Sequence, residues 1–200
     1  MRILIFSDLH GDLKALERLM AVDADLYIAA GDLTNFARGL EKMGPLLQPK
    51  GDRVYVMPGN HESSSDIDAF AAQYGLHTFH NRAIVAAGVH IAGLGYSNIT
   101  PFKTPGEYTE EQFKERLDVW RGLKPMVLIC HCPPLDTPLD QAGPGKHFGS
   151  AAIRKFIDDE QPLQFFCGHI HEAEGVEAML GSTRGRNVGK RGFLLELSDA

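Results

Sequence analysis

Five short apolar runs of this chain end in the same way, with aspartate, asparagine or histidine just after the last apolar residue. The runs are rich in aliphatic residues and are bounded by Gly, Pro and Asp, so each is predicted to be a strand. They are followed, in chain order, by SDLHGD (7–12), GDLTN (31–35), PGNHE (58–62), HCPP (131–134) and GHIH (168–171). Because ligands bind outside the carboxyl ends of strands in open α/β sheets, we expect these five segments to meet at one place.

Helical periodicity appears between these runs. Apolar spacing predicts helices over 13–20, 109–123 and 150–160, with Thr109 and Ser150 as N-caps of the last two. Strands are predicted over 2–7, 25–30, 53–57, 126–130 and 163–167, as shorter pieces within 77–95, and near 183–188 and 192–197. This alternation predicts an α/β fold covered by helices, with a second sheet built from the hairpin-like middle and the β-rich end.

Composition limits the class of protein. A chain of 200 residues is predicted to form one domain over 1–200. Its net charge of −6 argues against a general polyanion-binding surface, although metal ions could hold a nucleic-acid substrate locally. With no apolar segment of membrane-spanning length, we expect a cytoplasmic protein without a membrane anchor or an obligate partner, as monomer or homo-oligomer. Cys130, Cys132 and Cys167 are an odd set, which argues against a disulfide framework.

The side chains at the five strand ends are those that bind transition metals. They provide two carboxylates, one amide oxygen and four imidazoles, from Asp8, His10, Asp32, Asn60, His131, His169 and His171. This is about twice the set that one tetrahedral zinc uses, and it suits two ions with positions open to water and substrate. Asp32 is the natural bridging ligand. Two ions roughly 3.5–4 Å apart can clamp both oxygens of a phosphoryl displacement and make hydroxide available at neutral pH.

Each segment alone has a plainer interpretation. Asp8-x-His10 could be a polar turn, Gly31-Asp32 is a common turn dipeptide, and a single His131 could be a packed histidine. Five such segments in order, each directly after a predicted strand, favour one shared site over five separate turns.

The ordered set resembles the motifs of the calcineurin-like metallophosphoesterase superfamily, over residues 8 to 171. The motifs are Asp8-x-His10, Gly31-Asp32, Gly59-Asn60-His61-Glu62, His131 and Gly168-His169-x-His171. The resemblance implies a four-layer α/β/β/α sandwich of two mixed β-sheets with a dinuclear centre. Manganese is the expected metal, with iron, zinc, nickel and cobalt as alternatives.

The resemblance also assigns roles by position. It implies one ion on Asp8, His10, Asp32 and His171, and another on Asp32, Asn60, His131 and His169. His61 matches the histidine that binds no metal but contacts the scissile phosphate and protonates the leaving oxygen. Asn60 and His61 are therefore candidate substrate contacts.

Departures from the family pattern bear on the substrate. The second motif continues as LTNFARG and Met57-Pro58 precede Gly59, so the arginines of the protein Ser/Thr phosphatases are missing, although Glu62 is shared with them. The chain is more similar to the small prokaryotic phosphoesterases. We therefore expect phosphodiester hydrolysis, including nucleotide-like esters, by a hydroxide that bridges the metals. The alternatives are a phosphomonoesterase or protein phosphatase, and a non-catalytic scaffold.

Three segments outside the motifs are also of interest. GPGKHFGS (143–150) either holds a substrate oxyanion through Lys146 and His147 or is a Gly-rich connection to a capped helix. The basic segment STRGRNVGKR (182–191) either contacts the substrate or forms a solvated hairpin. Segment 96–108 is rich in turn formers and is predicted to be a surface loop able to cover the strand ends. Three remaining histidines are predicted to be structural, namely His77, His80 and His90.

Overall fold

The computed structural model describes residues 1–197. In chain order the strands are β1 (Arg2–Phe6), β2 (Leu26–Ala30), β3 (Val54–Met57), β4 (His77–Thr78), β5 (Arg82–Ala86), β6 (Val89–Leu94), β7 (Ser97–Asn98), β8 (Glu107–Tyr108), β9 (Met126–Cys130), β10 (Gln164–Cys167), β11 (Glu177–Leu180), β12 (Thr183–Asn187) and β13 (Phe193–Glu196). The α-helices are α1 (Leu13–Met20), α2 (Leu40–Leu47), α3 (Ser64–Tyr74), α4 (Glu110–Asp118) and α5 (Ala151–Glu160).

The strands form two large mixed sheets. The first has the order β13–β1–β2–β3–β4, in which β1 to β4 are parallel and β13 pairs antiparallel with β1. The second has the order β11–β12–β10–β9–β6–β5, with antiparallel strands β11 and β5 at its edges. Because the inner strands are parallel, the carboxyl ends of β1, β2 and β3 share one edge of their sheet, as do those of β9 and β10 in theirs.

Three apolar cores separate four layers. Between the sheets, Ile5 and Ile28 of the first sheet share a core with Ile129 and Phe166 of the second. Helices α1 to α3 cover the outer face of the first sheet, and α4 and α5 cover that of the second. This confirms the predicted α/β/β/α sandwich.

Helix ends follow local capping chemistry. The Thr109 hydroxyl accepts from the Gln112 amide at 3.3 Å, and the Gln112 side chain accepts from the Thr109 amide at 2.9 Å. Ser150 caps α5 in the predicted way, by accepting from the Ile153 amide at 3.2 Å. Helix α4 is shorter than predicted, since it ends at Asp118 rather than at residue 123.

Other elements differ from the sequence expectations. Helix α2 was not predicted because it contains Gly44 and Pro45, which disfavour helix. Gly44 is required there because a Cβ would overlap the ring of Tyr74. Helix α3 and the edge strand β11 were also missed. Segment 96–108, expected to be a surface loop, contains one short parallel pair that was not predicted, β7 with β8.

Two sequence-level expectations can be compared with the part of the chain that the structure describes. Within residues 1–197 no helix has both the length and the apolar character needed to cross a bilayer. All three cysteines are buried and unbridged, and burial raises the pKa of each thiol.

His80 is a neutral histidine inside the fold. Its Nδ1 accepts a hydrogen bond from the Gly95 amide at 3.0 Å, so Nε2 carries the proton and donates to the Tyr108 hydroxyl at 2.9 Å. Burial, and secondarily the Arg116 guanidinium, lower the pKa of His80 to about 4. These contacts agree with the structural role predicted for this residue.

We expect His80 to make the fold sensitive to acid. Its pKa is about 4 in the fold but 6.5 in an unperturbed histidine, so its stabilising contribution is present above pH 6.5 and is lost as pH falls towards 4. The loss should be about 3 kcal/mol in the free energy of unfolding. Urea titrations at several pH values should show a weaker acid dependence for His80→Gln than for wild type. The exposed-site control His77→Gln should follow wild type, and parallel curves for all three proteins would contradict the assignment.

Candidate metal centre

The structure brings the seven predicted ligands together where the two sheets meet. The ligand atoms of Asp8, His10 and His171 lie within 4.8 Å of one another, and so do those of a second group, Asp32, His131 and His169. The remaining predicted ligand joins the second group, because the side-chain oxygen of Asn60 is 3.2 Å from His131 Nε2. Residues up to 163 positions apart in the sequence therefore form one polar cluster.

Four of these residues have left-handed backbone conformations that are uncommon outside glycine. The φ angles are 56° at Asp8, 45° at His10, 51° at Asp32 and 68° at His169. Backbone hydrogen bonds hold the first two loops together, from the Asp8 amide to the Gly31 carbonyl at 3.1 Å and from the His10 amide to the Asp32 carbonyl at 3.0 Å. Strained backbone of this kind concentrates at functional sites, which supports the assignment of these loops.

Glycines allow the loops to approach each other. A Cβ at Gly59 would overlap the Asp32 carboxylate, and one at Gly168 would overlap the Asp8 carboxylate. A Cβ at Gly31 would lie 2.6 Å from a ring nitrogen of His131. The glycines of the sequence motifs therefore have a steric function, which is to make room for the carboxylates and imidazoles.

Asp32 lies between the two groups. One carboxylate oxygen accepts from the His61 amide at 2.9 Å. The other oxygen is 3.6 Å from His10 Nε2 and 3.4 Å from His131 Nε2. Burial opposes ionisation, but His131 and His10 outweigh it and hold the pKa of Asp32 well below its usual range. One ionised oxygen thus faces an imidazole of each group.

The imidazoles are oriented so that their Nε2 atoms converge. His131 Nδ1 donates to the Ala30 carbonyl at 2.9 Å, which directs Nε2 towards Asp32. On the other side, His10 Nε2 and His171 Nε2 are 3.0 Å apart, while His10 Nδ1 is 2.8 Å from the side-chain oxygen of Asn35. Converging ring nitrogens, with the opposite nitrogen of His10 and of His131 fixed by a hydrogen bond, are typical of residues that bind a metal ion.

The protonation states also suit a divalent cation. Although burial acts in the opposite direction, the Asp32 carboxylate raises the pKa of His131 to about 9. Burial and the neighbouring His131 lower the pKa of His169 to about 4. His169 therefore has an unprotonated nitrogen at neutral pH, and the proton on His131 occupies a position for which a cation would compete. Carboxylate, amide and imidazole donors together fit divalent transition-metal ions.

His61 lies at the same centre, but its contacts do not assign it a single role. Its ring makes edge contacts with His10 and Phe36, at centroid distances of 5.1 and 4.9 Å. Within residues 1–197 its Nδ1 has no hydrogen-bond partner. Its ligand atom is also within 4.8 Å of those of His10 and Asp32, so geometry alone allows both a ligand and an acid. Burial lowers the pKa of His61, and the Asp32 carboxylate opposes this.

Sequence reasoning missed the contribution of Glu62. This fully buried carboxyl group accepts from the backbone amides of Asp32, Thr34 and Gly59 at 3.2, 2.8 and 3.2 Å. Burial and the Asp32 charge raise the pKa of Glu62 to about 8. Its only signal in the sequence was its position after Asn60 and His61, and its contacts indicate that it positions the loops.

The residues outside the motifs that were predicted to contact the substrate differ in whether they line a cavity at the centre. His147 Nδ1 is 2.7 Å from a carboxylate oxygen of Asp140, and His147 lines neither cavity at the centre, so its role in substrate binding remains a prediction. In the basic segment, Arg186 pairs with Glu177. Gly189 and Lys190 of that segment line one of the two cavities at the centre.

Two clefts open beside the centre and share His10, His61 and His171. The polar cleft, of about 430 Å³, also contains Asn35, Glu174 and Lys190. The apolar cleft, of about 370 Å³, extends past Asp32, Asn60 and His169 to the segment 98–102, Phe148 and Ile170. The centre therefore adjoins two cavities with different linings.

Known proteins are similar to this chain in sequence. The model of the calcineurin-like phosphoesterase family matches residues 1–173. An uncharacterized protein of Methanocaldococcus jannaschii is 35% identical over 193 residues, which cover 92% of this chain and 85% of that protein.

Solved structures share the fold. A phosphopantetheinyl hydrolase from Mycobacterium tuberculosis is similar with a TM-score of 0.69 and 16% identity, over 94% of this chain and 88% of that one. A dimetal phosphatase from Danio rerio is similar with a TM-score of 0.66 and 12% identity, over 94% and 86% of the two chains. The match to the family model includes every candidate ligand from Asp8 to His171. The chain therefore belongs to the calcineurin-like phosphoesterase family, and is a metal-dependent hydrolase of phosphoric esters.

Proposed function

We propose that this protein hydrolyses phosphodiesters at a centre of two divalent metal ions. One ion would be held by Asp8, His10, Asp32 and His171, and the other by Asp32, Asn60, His131 and His169. The position of one Asp32 oxygen between His10 and His131 supports a bridging carboxylate. The mixed oxygen and nitrogen donors fit manganese, which we propose first, as well as iron, zinc, nickel or cobalt.

The observation that favours diesters is the meeting of two clefts at His10, His61 and His171. A phosphodiester has two organic substituents on one phosphorus, and each cleft is large enough to receive one of them. A phosphomonoester has one substituent and would use one cleft. The two clefts also differ in polarity, which suits a diester with two unlike substituents, a nucleotide-like ester among them.

The metal ions and the side chains of the centre would then have separate roles. When bound, the metal ions would supply hydroxide at neutral pH and neutralise charge on the phosphoryl oxygens. Asn60 and His61 would contact the phosphate, and His61 would protonate the leaving oxygen. The edge contact of Phe36 limits the orientations of the His61 ring. A bound anionic ester would favour the protonated ring and so oppose the effect of burial on the pKa of His61.

A phosphomonoesterase is the second candidate, because Lys190 in the polar cleft offers a positive charge to a dianionic phosphate. Lys190 already lies 3.4 Å from the Asp12 carboxylate, which reduces the charge available. The cytoplasmic location and the oligomeric state remain predictions.

We expect metal-depleted protein to be inactive and to recover activity with manganese. Reconstituted protein should hydrolyse bis(p-nitrophenyl) phosphate with a higher kcat/KM than p-nitrophenyl phosphate, because both substituents of the diester are bound. Nickel, cobalt, zinc and magnesium should be compared in parallel. A consistent preference for the monoester with every metal would favour the phosphomonoesterase instead.

Replacing the bridging carboxylate should affect both metal positions. After dialysis, elemental analysis should find about two ions in wild type, about one in Asp8→Ala and close to none in Asp32→Ala, since only Asp32 is shared. Asp32→Asn keeps the oxygen that accepts from the His61 amide and so separates loss of charge from loss of loop geometry. Full occupancy in Asp32→Ala would refute the bridging assignment.

His61 should be separable from metal binding. We expect His61→Gln to retain both ions and the fold yet to lose about 10²–10⁴-fold in turnover of alkyl or nucleoside diesters. Nitrophenyl esters should lose less, because nitrophenolate leaves without protonation.

The matched control is His77→Gln, a histidine that stacks on Tyr55 at a centroid distance of 4.8 Å, and it should keep full activity. If His61→Gln loses metal as His131→Ala does, His61 is a ligand. If turnover of a poor leaving group is unchanged, the acid is another residue.

A further inference from the structure

The apolar cleft exposes large hydrophobic side chains next to the most polar cluster of the fold. The exposed fractions are 66% for Ile99, 76% for Phe102 and 52% for Phe148. Beyond the candidate ligands and His61, the cleft is lined by segment 98–102, Phe148 and Ile170, none of which carries a charge. Exposed apolar surface of this kind, continuous with a binding site, marks a place where apolar groups bind.

The wall of the cleft is held by hydrogen bonds rather than by packing alone. The Glu107 carboxylate accepts from the hydroxyls of Thr100 and Thr104, each at 2.6 Å, and from the Thr104 amide at 2.9 Å. The Gly106 amide donates to the Asn60 carbonyl at 3.0 Å, which joins this segment to a loop that carries candidate ligands. Ile99 and Phe102 therefore lie on a preformed wall.

The two sides of the apolar cleft are also linked to each other. The side-chain amide of Asn98 donates to the Gly149 carbonyl at 3.2 Å, directly beside Phe148. The polar cleft has a different character, since it contains Glu174 and Lys190. A charged substituent would find charged side chains there. In the apolar cleft, segment 98–102, Phe148 and Ile170 offer it no counter-ion.

We propose that the apolar cleft binds one ester substituent of the substrate and that this substituent is uncharged and apolar, an alkyl or aryl group. The proposal rests on the proposed function, because a phosphate held at the metal centre is what brings a substituent to this wall. Ile99 and Phe102 would then determine specificity, by removing the substituent from water without taking part in the reaction.

Binding can be measured without turnover, by titrating alkylphosphonates into manganese-loaded protein in a calorimeter. The affinity for methylphosphonate measures binding at the metal centre alone, because its substituent is a single methyl group. From ethyl to octyl, affinity should rise by up to about fourfold for each added methylene that is fully buried, and by about twofold where burial is half complete. Phenylphosphonate and a nucleoside monophosphate, compared with octylphosphonate, distinguish aryl, nucleoside and alkyl preferences.

The variant Ile99→Ser/Phe102→Ser should bind methylphosphonate as wild type does but lose about tenfold in affinity for octylphosphonate. Val85→Ser is a matched control, because Val85 is 66% exposed, as Ile99 is, and lies on β5 outside both clefts. All three side chains are largely exposed, so thermal unfolding should change little. In steady-state kinetics, the double variant should raise KM for octyl diesters and leave kcat unchanged.

Two results would overturn the proposal. One is an affinity that does not depend on chain length in wild type, and the other is a chain-length dependence that the double variant retains in full. Failure of the proposed function would look different, because either no ester would then be hydrolysed or the monoester would be preferred with every metal. Failure of this inference alone would leave hydrolysis intact.

Discussion

The geometry of the centre depends on the buried carboxyl group of Glu62. The left-handed turn at Asp32 directs backbone amides into the interior, where an unpaired N–H group costs about 1–3 kcal/mol. Glu62 accepts from three such amides, those of Asp32, Thr34 and Gly59. Because these amides belong to the loops after β2 and β3, one side chain stabilises the conformations of both loops. The Asp32 carboxylate is consequently held in position before any ligand arrives.

The centre is divided between the two sheets. The loops of the first sheet contribute Asp8, His10, Asp32 and Asn60, and those of the second contribute the other three histidines. Hydrogen bonds cross between these halves, from the His169 amide to the Asp8 carboxylate at 3.0 Å and from the His131 ring to the Ala30 carbonyl at 2.9 Å. The apolar core between the sheets sets their separation, and these hydrogen bonds align the ligands across it.

Those parts of the fold that depend on local signals could be predicted from the sequence. The strand β9 over Met126–Cys130 has the predicted bounds, because a fully buried strand is a continuous apolar run. Helix α2 could not be predicted, since Gly44 is explained only by its contact with Tyr74, which is distant in the sequence. The ligand candidates were found because each follows a recognisable strand.

The residues that surround and position the candidate ligands could not be recognised from a sequence pattern. The contribution of Glu62 requires knowledge of amides about thirty positions away. The ring of His147 is held by Asp140 through a contact that its surrounding Gly-rich sequence does not reveal. Phe102 and Phe148 become neighbours of one cleft only when β7, β8 and α5 are in place.

The connection from β6 to β9 carries Ile99 and Phe102 but none of the candidate ligands. The candidate ligands and the part of the cleft wall formed by Ile99 and Phe102 are therefore encoded in separate stretches of the chain. A substitution in this connection can alter the shape of the cleft while the carboxylates and imidazoles stay where they are. If a substituent binds at this wall as proposed, the ester that fits could therefore change through substitutions here while all seven candidate ligands are retained.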